Sequence, residues 1–139
     1  CAPQNLDALR NGGVAAIRVG DYRLARSMFH KAYSLKPTDG QTADTLVKLM
    51  LNDHDYAPAA TIVADAVLPW ARDLGDPQTL IDALLRGCQA AVLGTGDGVL
   101  AGEWHAEASR LANAHPQLAE AFAGRLQVIG EALASMADG

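Results

Sequence analysis

No stretch of this chain approaches the roughly 18 consecutive apolar residues needed to cross a membrane as a helix. Cysteine is nearly absent. Cys1 and Cys88 stand too far apart to form a disulfide framework, and Cys88 falls in an apolar run where a small core residue is expected. Aromatics make up only 5% of the chain although 50% of it is hydrophobic. Its core must therefore be built from small aliphatic side chains, which suits helices packed at short range. The net charge of -5 excludes general nucleic-acid binding, which needs a basic surface. No segment alternates apolar and polar residues with period two, so no sheet is expected.

Catalytic signals are also missing. His30, His54, His105 and His115 have no Cys or carboxylate at metal-ligand spacing. Glu103, Trp104, His105 and Glu107 are neighbours in sequence, but on a helix they point in different directions. The run Gly94-Thr95-Gly96-Asp97-Gly98 lacks both the Lys-Ser/Thr and the preceding strand of a phosphate loop and reads as an inter-helix turn. No enzyme activity, metal or cofactor is expected.

What is present is a repeat. In the stretch from Gly20 to Pro37, Tyr22, Ala25, Phe29 and Ala32 share one helical face, with a turn before them and a proline after. Setting Gly96 on Gly20 aligns Asp97 with Asp21, Leu100 with Leu24, Ala101 with Ala25, Ala108 with Ala32 and Leu111 with Leu35. A middle copy starts at His54, with Tyr56, Ala59, Val63 and Ala66 at the same offsets. Self-similarity at such a period marks a helix-pair array, and 139 residues make one domain.

Taken in order, residues 5–19 form a first helix, in which Gly12-Gly13 admits a close neighbour. Asp21 is placed to N-cap a second helix, Tyr22 to Leu35, which Pro37 ends. Gln41 to Leu51 is a third helix and Tyr56 to about Leu74 a fourth, with a kink or early stop expected at Pro69. Asp76-Pro77 starts a fifth helix that ends at Gly94. A sixth runs to about Ala114. In the last helix Leu118, Phe122, Leu126, Ile129 and Leu133 recur at spacings of three and four. Having no partner in a full pair, that helix would cap the stack.

These residues resemble the tetratricopeptide repeat (TPR), a helix-turn-helix unit of about 34 residues. Gly20, Tyr22, Ala25, Phe29, Ala32 and Pro37 follow its second-helix pattern, and Gly13 falls on the small position of its first helix. The resemblance implies an all-α, TPR-like superhelix of about three helix-turn-helix repeats, covering 6–39, 40–73 and 82–115. A C-terminal capping helix over 116–139 and a short N-terminal segment over 1–5 complete the chain. The third repeat departs from the pattern: about eight residues are inserted around Pro69 to Pro77, and His105 replaces the aromatic. The family's use as a binding scaffold implies a protein partner, a peptide or amphipathic helix, lying in the groove of the first helices. Carried over by position, that groove takes Arg10, Val14, Ile17 and Arg18 from repeat one. Asp44, Lys48 and Leu51 come from repeat two, and Arg86 and Leu93 from repeat three. They describe an apolar strip with basic heads, although Val14, Ile17, Leu51 and Leu93 also read as core positions.

Two further features bear on location. Residues 1–48 carry a balance of +3 and residues 49–139 a balance of -8. That split suits either solvated helix faces or a basic end turned toward anionic headgroups or an acidic partner. The chain also begins at Cys1, the residue at which a bacterial lipoprotein is acylated after its signal peptide is cut; a trimmed longer chain is the alternative. With Cys1 acylated, the chain resembles the TPR lipoproteins of the bacterial outer membrane, including pilotins that deliver secretin subunits in type IV and Tad-type pilus systems. The resemblance then implies a lipid anchor on the periplasmic face and a secretin helix in the groove. A cytoplasmic TPR adaptor or secretion chaperone is the other reading.

Overall fold

The computed structural model describes residues 6–138. Among them there are seven helical segments and no strand. They are α1 (Leu6–Arg18), α2 (Tyr22–Leu35), α3 (Gly40–Asn52), α4, α5, α6 (Gly98–Ala114) and α7 (Pro116–Asp138). Helix α4 is continuous from Tyr56–Ile62 through a π-turn, Val63–Val67, into Leu68–Leu74. Helix α5 runs Pro77–Ala90 and finishes in a second π-turn, Ala91–Thr95. Three antiparallel hairpins, α1/α2, α3/α4 and α5/α6, stack in order, and α7 closes the end against α6 and α5.

The three hairpin turns share one geometry. Gly20, His54 and Gly96 each take a left-handed backbone, with φ of 81°, 61° and 68°. Glycine adopts this conformation without a Cβ penalty, which explains why it stands at two of the three turns. The residue after each of those glycines caps the following helix. Asp21 accepts a hydrogen bond from the Leu24 amide at 3.1 Å, and Asp97 accepts one from the Leu100 amide at 3.0 Å. At the middle turn the acids are used differently, since Asp53 and Asp55 both bind the Arg26 guanidinium of α2.

Pro69 does not stop the helix, which continues past it to Leu74. Proline has no amide hydrogen, and its ring collides with the carbonyl four residues back. The π-turn just before it widens the helix, and the Leu68 amide reaches the Val63 carbonyl instead. The helix then continues to Leu74, where Gly75 ends it in a left-handed C-cap. The inserted residues therefore lengthen α4 and α5 and do not form a loop. Helix α5 likewise runs one residue past Gly94, as the Gly96 amide reaches the Ala91 carbonyl at 2.8 Å.

Small residues set the helix spacing within each hairpin. Ala25 and Ala32 are fully buried on the face of α2 that meets α1. A Cβ added to Gly13 would fall 2.5 Å from Phe29 Cε2, so the ring lies directly on the α1 backbone. Ala25→Leu or Ala32→Leu is accordingly expected to overpack the first hairpin and destabilise the fold by about 1–3 kcal/mol. Thermal unfolding checks this: an unchanged melting temperature for Ala25→Leu would break the assignment of α1/α2 as the template hairpin. Leu46, Val47, Val63, Ile81, Leu84 and Leu85 continue the core through the middle of the stack with essentially no solvent exposure.

Candidate interaction surface

Interhelical ion pairs arrange the helices in two layers. On one layer, Arg10 of α1 donates to Gln41 Oε1 of α3 at 3.0 Å and lies 3.5 Å from Asp39. Asp44 of α3 accepts from Arg86 of α5 at 2.8 Å, and Asp82 of α5 pairs with that same arginine. Asp82 also accepts from Arg125 of α7 at 2.7 Å. These contacts run α1–α3–α5–α7 across the surface. The opposite layer is tied by Arg26 to the α3–α4 turn and by Arg72 of α4 to Glu107 of α6 at 2.8 Å. Arg26 has its pKa raised, first by the hydrogen bonds to Asp53 and then by those to Asp55.

The groove residues expected from the sequence lie on the first layer, but they do not form one apolar strip. Arg86 and Asp44 belong to the ion-pair chain, and Lys48 leans on Asp44 at 3.3 Å. Ile17 and Leu51 are partly buried against the core. Val14 and Arg10 border a polar cavity of about 330 Å³ shared with Asn11, Gln41 and Thr45. Arg18 is exposed. Arg10 and Arg86 are thus committed to neighbouring helices and Lys48 to its own; the pairings between helices are invisible until the hairpins are stacked. Cys1 lies outside the described residues.

Leu93 alone among those residues lines the apolar part of the surface. It is 55% exposed and borders an open cavity of about 440 Å³ between the end of α5 and the capping helix α7. Val92 of α5 and Arg125, Val128, Ile129 and Ala132 of α7 complete its wall. Val128 is 65% exposed. Its signal in the sequence is that it falls off the stripe of Phe122, Leu126, Ile129 and Leu133, so it cannot reach the core. The guanidinium of Arg125 stands 5.5 Å from the Phe122 ring centre and is held by Asp82, which fixes a charged rim beside an apolar floor.

Cys88, His105 and His54 are each engaged in contacts within the fold. Cys88 is fully buried, donates to the Ala101 carbonyl at 3.2 Å, and has its thiol pKa pushed up to about 12 by burial. A thiol so protonated is a poor nucleophile. His105 bonds the Leu126 carbonyl at 2.8 Å and joins α6 to α7. His54 bonds the Tyr56 hydroxyl at 2.7 Å inside the middle turn. Among the described residues, no three His, Cys, Asp or Glu side chains converge to hold a metal ion. None of the described helices is long and apolar enough to cross a membrane.

No family model and no curated protein matches this sequence. Among solved structures, the chain is similar to the N-terminal domain of stress-induced protein-1 (STI-1) from C. elegans. The TM-score is 0.66 at 17% identity, covering 90% of this chain and 94% of that one. The similarity extends over nearly the whole of both chains and identifies the architecture as TPR-like.

Proposed function

We propose that this chain is a non-enzymatic protein-interaction scaffold that receives an amphipathic helix against the cavity between α5 and α7. The carrying observation is the exposed apolar floor of Leu93 and Val128 beside the fixed Arg125. Single exposed apolar side chains are ordinary, but here Leu93 and Val128 line one open cavity together. A helix laying an apolar face on that floor gains burial, while the ion-pair chain along α1, α3 and α5 offers a polar rim. In its finer form the proposal is a pilotin-type lipoprotein, anchored through acylated Cys1 at the periplasmic face of the outer membrane, whose guest is a helix of a secretin subunit. The TPR-like fold supports the scaffold role; the anchor is a separate part of the proposal with its own test.

Overlapping secretin peptides titrated against the purified protein test the guest. Leu93→Asp and Val128→Asp are each expected to weaken binding by about tenfold or more, with the melting temperature unchanged because both side chains are exposed. Unaltered affinity in both variants would move the binding surface elsewhere. The anchor is tested separately by intact mass of protein extracted from bacterial membranes, where acyl additions on Cys1 are expected; an unmodified chain would sink it.

A further inference from the structure

The cations left over from the ion-pair network collect at one end of the molecule. Arg10, Arg26, Lys48, Arg72, Arg86 and Arg125 each have a carboxylate partner. Among the described residues Arg18, Arg23, Lys31, Lys36 and Arg110 have none, and four of these five belong to the first hairpin. On the outer face of α2, opposite the buried Ala25, Phe29 and Ala32, two rows run along the helix. Arg23, His30 and Ser34 form one, and Leu24, Lys31 and Leu35 the other, each spaced by seven and then four residues. Leu24 is 45% exposed and Leu35 51%. A shallow depression lined by Arg23, Ser27, His30 and Lys31 opens on this face, with Arg26, held by Asp53 and Asp55, at its edge.

We infer that this face of α2 docks on an anionic phospholipid surface. A bilayer supplies what the two rows require together. Headgroup phosphates meet Arg23 and Lys31, which stand about 12 Å apart along the helix, and the acyl boundary receives Leu24 and Leu35. An acidic peptide offers the charge without the apolar depth. The balance of -8 over residues 49–139 is repelled by the same surface, so the docked orientation is set with the first hairpin down and the rest of the stack away from the membrane. The inference rests on the side chains of α2 and not on acylation of Cys1.

The test uses the unacylated chain as Cys1→Ser, floated with vesicles. Binding is expected to mixed phosphatidylglycerol–phosphatidylcholine vesicles, absent with phosphatidylcholine alone, and weakened by added salt. Arg23→Glu with Lys31→Glu should reduce vesicle affinity by about tenfold or more. Leu24→Ser with Leu35→Ser should reduce it with the charge unchanged, and Arg23→Gln with Lys31→Gln serves as a milder second variant if the reversal disturbs folding. Equal binding to the two vesicle types, retained binding in the charge variants or in the leucine variant, or binding to polyglutamate in place of vesicles would each overturn the inference. Because Cys1 cannot be acylated in this experiment, its outcome is independent of the lipoprotein reading.

Discussion

Trp104→Ala is expected to lower the unfolding free energy by about 3–5 kcal/mol, whereas His105→Ala next to it should cost only about 1 kcal/mol. The contrast follows from what each side chain touches. Trp104 is buried, and its ring lies so close to α5 that a Cβ on Gly87 would sit 2.7 Å from Trp104 Cε3 and 2.8 Å from Val63 Cγ1. One ring therefore fills the space where α4, α5 and α6 meet, and its removal leaves a cavity that the fixed helix backbones cannot close. His105 contributes one part-buried hydrogen bond to the Leu126 carbonyl. Urea denaturation followed by helical circular dichroism separates the two. Equal losses, or a loss below about 1 kcal/mol for Trp104→Ala, would show that the ring does not hold the third hairpin together.

The same pair shows where the sequence is legible and where it is not. Aligning Gly96 on Gly20 places His105 on Phe29, and periodicity alone makes His105 the inward residue of the third hairpin. In the structure that position meets the capping helix, and the ring over the α5 glycine comes from the preceding residue. A period of 3.6 says which arc of a helix is covered. It does not say whether the hairpin partner or the next helix covers each edge of that arc. The turns were easier to read, because left-handed glycines and aspartate caps at Gly20-Asp21 and Gly96-Asp97 act within a few residues. The π-turns at Val63–Val67 and Ala91–Thr95 carry no such local signature beyond Pro69, which can be accommodated in more than one way.

The candidate surface was less legible than the fold for a related reason. Arg10, Asp44 and Arg86 lie on the first layer, yet Arg10 is bound to Asp39 and Gln41, and Asp44 and Arg86 are bound to each other, contacts set by how one hairpin stacks on the next. The apolar cavity joins Leu93 to Val128, which lie in different helices and belong to no common repeat position. Local offsets find residues of one repeat; a wall shared between the last repeat and its cap has no offset to find.

Gly40→Val should cost about 3 kcal/mol or more, toward the upper end of what overpacking produces. A Cβ at Gly40 would fall 2.0 Å from Trp70 Cβ and 2.1 Å from Trp70 Cγ. These atoms are at the root of the indole, so no rotamer of Trp70 moves the nearer one away, and α3 and α4 would have to separate. Relief by truncation is therefore ruled out by geometry: in Gly40→Ala/Trp70→Ala the two Cβ atoms still collide, and the double variant should be no more stable than Gly40→Ala alone. Recovery of stability in the double variant would instead assign the clash to the ring and leave the backbone spacing free to relax. The contact also explains the length of α4. Trp70 lies beyond Pro69, on the part of the helix that reaches Leu74. Without the π-turn that carries α4 past the proline, no side chain would arrive over the start of α3, and the glycine there would have nothing to accommodate.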